Sequence, residues 1–195
     1  MNTRIVEFED ILINLPGCDK IFILTATATS SGVSSFFDCL DEKTEVSVVM
    51  GDFVSEDPTV KAHMAQLGVK LFIRESDGSN MHAKLFLLRK KRTFKYIAYI
   101  GSANLTYNSM WRNDEIMVKI TDNDLCRQFL NTFYKIQDKS ISFKSPLGLA
   151  NAKTAKRGKE ESAREAARRQ RAAFDFLIGK EEIPPIPKSQ AGNRS

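Results

Sequence analysis

Two closely spaced pairs in this chain carry side chains able to act on a phosphate ester. His82 and Lys84 stand two apart in MHAKLFLL, and Ser102 and Asn104 stand two apart in GSAN. An extended backbone sends residues two apart to the same side. If the two segments pair as neighbouring strands, the four side chains gather on one patch. Glu115 follows and could reach the same end of the sheet. A phosphodiester resists hydrolysis because its negative charge repels nucleophiles. Catalysis must neutralise the equatorial oxygens and align an attack. Lys84 supplies a cation without a metal, and Ser102 and Asn104 supply oriented donors. His82 can attack phosphorus to form a covalent phosphohistidine. A carboxylate such as Glu115 can hold the imidazole tautomer that leaves the attacking nitrogen free. No cofactor and no metal enter this scheme.

The elements that would position these residues follow from patterning. Ile5, Phe8, Leu12 and Leu15 have helical spacing, which predicts an amphipathic helix over 3–15. Ile21–Ala28, Thr44–Met50 and Val69–Arg74 read as strands. Ser34–Leu40 reads as a short serine-capped helix, and Pro58 and Gly68 bound a helix over 58–67. This β-α-β-α-β alternation predicts a sheet with helices on its faces. Strands are then expected at Met81–Leu88, Tyr96–Ile100 and Ile116–Ile120, with a helix over about 125–136 capped by Asp122 or Asn123. Gly101 would let the backbone approach a ligand. The predicted fold is a single α/β sandwich.

His-x-Lys followed by Gly-Ser-x-Asn resembles the signature of the phospholipase D superfamily. The acidic residue after it, Glu115, resembles that of the superfamily's nucleases and restriction endonucleases. The resemblance covers roughly residues 1–140 and implies an α/β/α sandwich with a mixed sheet and helices on both faces. The strict motif has an aspartate five residues after the lysine, where this chain has Arg89. The interval from His82 to Gly101 is also longer than the common form by about five residues. Both departures point to a diverged nuclease branch. The family's second histidine, from a second copy of the motif, protonates the leaving oxygen and later activates water. The only other histidine here is His63, in VKAHMAQLG, without His-x-Lys spacing. It reads as an ordinary helix residue. The resemblance therefore implies a homodimer sharing one site across a two-fold axis, or a partner protein carrying the second motif.

Other residues could meet the substrate. The turn holding Arg89, Lys90, Lys91, Arg92 and Lys95 is either a solvated turn or a track for a phosphate backbone. Trp111 with Arg112 either packs at the domain edge or offers a surface for base stacking.

Composition narrows the setting. Residues 151–195 hold 11 Lys and Arg against 6 Asp and Glu, which accounts for the whole net charge of +5. A neutral catalytic domain (1–144) is thus expected to precede a linker (145–159), a basic helix (160–179) and a disordered tail (180–195). Such appendages suit phosphate polymers. The cysteines Cys18, Cys39 and Cys126 show neither zinc nor disulfide spacing. Acids among the first apolar residues argue against a signal peptide, and no run approaches the length of a membrane span. The expected setting is cytoplasmic, with nucleic acid as partner, DNA before RNA, and no membrane. The expected activity is a metal-independent nuclease, with restriction or defence against foreign DNA as the expected role. The alternatives are a phospholipase or phosphatidyl transferase, and a non-catalytic nucleic-acid-binding subunit.

Overall fold

Residues 3–51, 58–75 and 81–143 are described by a computed structural model. In chain order they form β1 (Thr3–Val6), α1 (Glu9–Asn14), β2 (Cys18–Thr25), α2 (Ser30–Phe37), β3 (Glu45–Gly51), α3 (Pro58–Gln66) and β4 (Lys70–Arg74). Then follow β5 (Leu85–Lys90), β6 (Tyr96–Gly101), α4 (Tyr107–Trp111), β7 (Met117–Ile120), α5 (Asn123–Gln137) and β8 (Ile141–Ser142). One sheet joins all the strands in the order β1-β7-β6-β5-β2-β3-β4-β8. β2, β3 and β4 are parallel, as the β-α-β-α-β reading expects. The remaining neighbours pair antiparallel, so the sheet is mixed.

Strand alternation divides the core into two layers. Ile21, Ile23, Val46, Val48, Phe86, Leu88 and Tyr99 face one side with α1, α2 and α3. Phe22, Leu24, Val49, Leu85, Leu87 and Ala98 face the other, covered by Cys126 and Phe133 of α5. Central strands buried on both faces read as near-continuous apolar runs, which is why FILT and LFLL lack alternation. Phe86 is the hub of the first layer, its ring 5.3 Å from Phe8 and 5.8 Å from Phe36. Truncating it to alanine would cost about 3–5 kcal/mol.

Registers fix which strand ends meet. Leu24 pairs with Leu85, Leu85 with Ile100, and Gly101 with Met117. The end of β2, the start of β5, the end of β6 and the start of β7 therefore lie along one edge of the sheet. Open α/β sheets place their ligands outside the carboxyl ends of strands, and β2 and β6 both end here.

Several expectations change. Residues 3–15 are not one helix. Thr3–Val6 is an edge strand paired with β7, and the helix spans only Glu9–Asn14. Ile5 is consequently 77% exposed, while Phe8 and Leu15 are buried. The helix expected at Ser34–Leu40 begins earlier and is capped by Thr29, whose hydroxyl accepts the Gly32 amide. β5 begins at Leu85, not Met81, and runs on to Lys90. α4 and β8 were not anticipated. α5 starts at Asn123 with Asp122 as its cap, as one of the two candidates suggested. The linker, basic helix and tail expected beyond residue 144 lie outside the described residues.

Candidate active site

His82 and Lys84 occupy the extended lead-in to β5, at the sheet edge just defined. His82 is exposed and Lys84 half-buried. The Lys84 ammonium donates to the His82 carbonyl at 3.1 Å, which folds the cation back over the histidine's own backbone. Because Leu85 pairs with both Leu24 and Ile100, this lead-in runs between the end of β2 and the end of β6. Ser102 and Asn104 follow β6 directly. The two halves of the motif thus leave neighbouring strands at the same edge.

Asn104 is held by its oxygen. Its Oδ1 accepts from the backbone amides of Ala26 at 3.2 Å and Thr27 at 3.4 Å, with the Thr25 hydroxyl at 3.3 Å. Backbone amides only donate, so this side must be the oxygen, and the orientation of the amide is fixed. Among the described residues no acceptor takes its Nδ2, which remains as a preset donor. Thr25, fully buried, organises this corner. Its hydroxyl donates to the Thr27 carbonyl at 2.6 Å and accepts the Leu105 amide at 3.1 Å. The buried Ser109 hydroxyl accepts the Asn104 backbone amide at 3.2 Å. Neither supporting residue stood out in the sequence. A hydroxyl ending an otherwise apolar strand run was the available signal for Thr25.

Ser102 turns toward the neighbouring strand. Its hydroxyl donates a short hydrogen bond to Glu115 Oε2 and accepts the Ile116 amide at 3.1 Å. Its own amide donates to the Ile116 carbonyl at 3.1 Å. The Asn113 side chain donates to Glu115 Oε1 at 3.4 Å. Glu115 is therefore fixed at this edge from two sides. A Cβ on Gly101 would overlap the Ile116 carbonyl oxygen and lie 2.7 Å from Met117 Sδ. The glycine thus serves close approach of β7, not approach of a ligand.

The basic turn lies elsewhere. β5 separates it from His82 by about 20 Å, given roughly 3.3 Å per strand residue. Arg89 makes a bidentate pair with Asp19, at 2.9 Å and 2.6 Å. Hydrogen bonding and charge from Arg89 hold the Asp19 carboxyl below the usual carboxylate range. Asp19 is the extra residue of a bulge in β2, which re-aims its side chain across the strand pair. Lys90 donates to the carbonyls of Asn14 at 2.5 Å and Pro16 at 3.1 Å, so it closes a loop. Lys91, Arg92 and Lys95 are exposed. Trp111 ends α4, in the connection from β6 to β7, with 48% of its surface exposed. Beside it the Arg112 guanidinium lies 5.5 Å from the Tyr107 ring. Asp114 is exposed, and His63 sits half-buried on α3. Among the described residues no three His, Cys, Asp or Glu side chains gather as a metal site requires.

Comparison with known proteins agrees with this architecture. The family model described as cardiolipin synthase, PLD-like domain, matches residues 19–137. The chain belongs to this phospholipase D-like family. No curated protein matches the chain. Among solved structures, NucT from Helicobacter pylori is similar with a TM-score of 0.57 at 12% identity, over 73% of this chain and 99% of that one. Nuc from Salmonella typhimurium, a phospholipase D family member, gives a TM-score of 0.58 at 15% identity, over 74% and 99% of the two chains. Polyphosphate kinase from Porphyromonas gingivalis gives 0.56 at 14% identity, over 74% of this chain and 27% of that one. These likenesses establish a phospholipase D-like α/β/α sandwich. Among the described residues no helix is long and apolar enough to cross a membrane.

Proposed function

We propose that this protein is a metal-independent phosphodiesterase that hydrolyses DNA through a covalent intermediate on His82. The observation that carries the reading is the shared edge. The His82–Lys84 lead-in and the Ser102–Asn104 exit leave paired strands there, beside a Glu115 anchored by Ser102. Structures with this fold include Nuc and NucT, whose chains are covered almost completely.

Each residue has a role that follows from its chemistry. Lys84 and the Nδ2 of Asn104 bind the non-bridging oxygens and neutralise charge as it builds. The His82 nitrogen attacks phosphorus as the bond to the leaving oxygen breaks. That oxygen takes a proton from a second histidine. Water then attacks the phosphohistidine, gives its proton to that same histidine, and frees His82. Glu115 keeps the imidazole in the reactive tautomer. The second histidine is His82 of another copy, related by a two-fold axis, because this chain has one His-x-Lys. Trp111 and Arg112, exposed in the connection from β6 to β7, contact the strand next to the cleaved bond. A role in restriction or defence would use the same chemistry on foreign DNA.

Rapid quenching of the enzyme with DNA labelled at the scissile phosphate tests the intermediate. Label recovered on the peptide containing His82 is the expected result. Full turnover with no labelled histidine would contradict it.

A further inference from the structure

The hairpin turn between β5 and β6 displays an aromatic ring that the fold does not use. Phe94 is 64% exposed and sits at φ 55°, the left-handed region that favours glycine or asparagine. The turn closes with the Phe94 amide on the Lys90 carbonyl at 2.8 Å and the Lys90 amide on the Lys95 carbonyl at 2.9 Å. A glycine would close this turn with less strain, and a largely exposed phenyl buries little surface to offset that strain. Among the described residues the cation over the ring is the Arg89 guanidinium, 5.7 Å from its centroid, and Arg89 is already held by Asp19. In the same turn Lys91, Arg92 and Lys95 are exposed, and among the described residues none of the three is ion-paired. An exposed ring in a turn that also carries three unneutralised cations has two complements at once: a planar base and its flanking phosphates.

We infer that the 90–95 turn is a second nucleic-acid contact, remote from the catalytic edge, which stacks an unpaired base on Phe94 and binds flanking phosphates through Lys91, Arg92 and Lys95. The inference rests on the nucleic-acid reading of the substrate above. It deepens that reading, because the turn and His82 lie at opposite ends of β5. A ligand spanning both must be a polymer, and the unpaired base at the turn makes that part of it single-stranded. The left-handed phenylalanine is then a stability cost retained for binding.

The test measures binding without turnover, using the His82→Ala protein and a fluorescent single-stranded oligonucleotide of about 16 nucleotides, the upper range of single-strand sites. Phe94→Gly, made in that background, is expected to raise the melting temperature and weaken binding roughly tenfold, the size of one lost base stack. Phe94→Trp is expected to restore the affinity. Replacing Lys91, Arg92 and Lys95 with glutamine is expected to lower the salt slope by about 2, near 0.7 per lost phosphate contact. Unchanged affinity in Phe94→Gly would overturn the inference. So would a loss confined to anionic phosphatidylglycerol vesicles, which would assign the turn to a membrane surface. Because no cleavage is read, a failure of the hydrolytic reading would leave these results interpretable.

Discussion

The Ser102 hydroxyl binds Glu115 Oε2, while the Ser102 amide and hydroxyl also secure the backbone of Ile116. Both donors of Ser102 are thus engaged inside the protein. The serine acts as a clasp between the end of β6 and the start of β7, and it fixes a carboxylate at the edge where the two motif halves leave their strands. In the proposed mechanism, oriented donation to phosphate then falls to Asn104, whose oxygen is occupied and, among the described residues, whose NH2 is not.

Ser102→Ala should release Glu115 without removing a phosphate ligand. Steady-state cleavage kinetics are expected to show kcat lower by about tenfold with KM little changed, the mark of a group acting in the transition state. Asn104→Ala should raise KM as well, because it removes a donor from the bound substrate. Equal effects of the two variants on KM would contradict this division of roles.

The Asp10 carboxylate joins β1, β6 and β7 to α1. It accepts from Tyr99 and Lys119 at 2.7 Å through Oδ2, and from Arg4 at 2.7 Å through Oδ1. Burial pushes its pKa up, but hydrogen bonds from Lys119 and Tyr99 and the charges of Lys119 and Arg4 outweigh that and leave it lowered. A lowered carboxylate stabilises the fold fully above its unfolded value, about 4, and loses that contribution as pH falls through the folded value. Asp10→Ala leaves Lys119, whose side chain is 11% exposed, without its carboxylate. Urea denaturation should show a loss of about 3 kcal/mol at pH 7. The gap to the parent protein should narrow below pH of about 4. A gap that does not change with pH would rule out the charge as its source.

Arg89 stands where the strict family motif has an aspartate, and the carboxylate it meets comes from Asp19 on the adjacent strand. The pair sets opposite charges across β2 and β5. Arg89→Asp alone sets two carboxylates together, and chemical denaturation should show a loss of about 2 kcal/mol. Adding Asp19→Arg should recover more than half of it, a coupling read directly from the double-mutant cycle. Simple additivity of the two losses would show that the pair contributes nothing specific.

The shared edge was legible because one hairpin joins His-x-Lys to GSAN, but the strand period was not the reason: His82 and Lys84 precede β5, and Ser102 and Asn104 follow β6. The parallel β2-β3-β4 unit was legible because apolar runs and Pro and Gly punctuation are local signals. The first strand was not. Ile5, Phe8, Leu12 and Leu15 fit a helical period, and nothing near them encodes that Val6 pairs with Met117, more than a hundred residues later. Such pairing overrides local preference. The placement of the basic turn also escaped the sequence, where Arg89 lies only a few positions from Lys84. Along a strand those few positions amount to nearly its whole length, so neighbours in the chain sit at opposite edges of the sheet. Asn104's anchoring by Ala26 and Thr27 was hidden for the same reason, since its partners are distant in sequence and donate through backbone.

The most direct test of the central claim is cleavage of DNA in excess chelator by the parent protein and by His82→Ala. The parent protein should be fully active without divalent metal, and the variant inactive. Activity that vanishes with chelator and returns with magnesium, or that survives in His82→Ala, would contradict that claim.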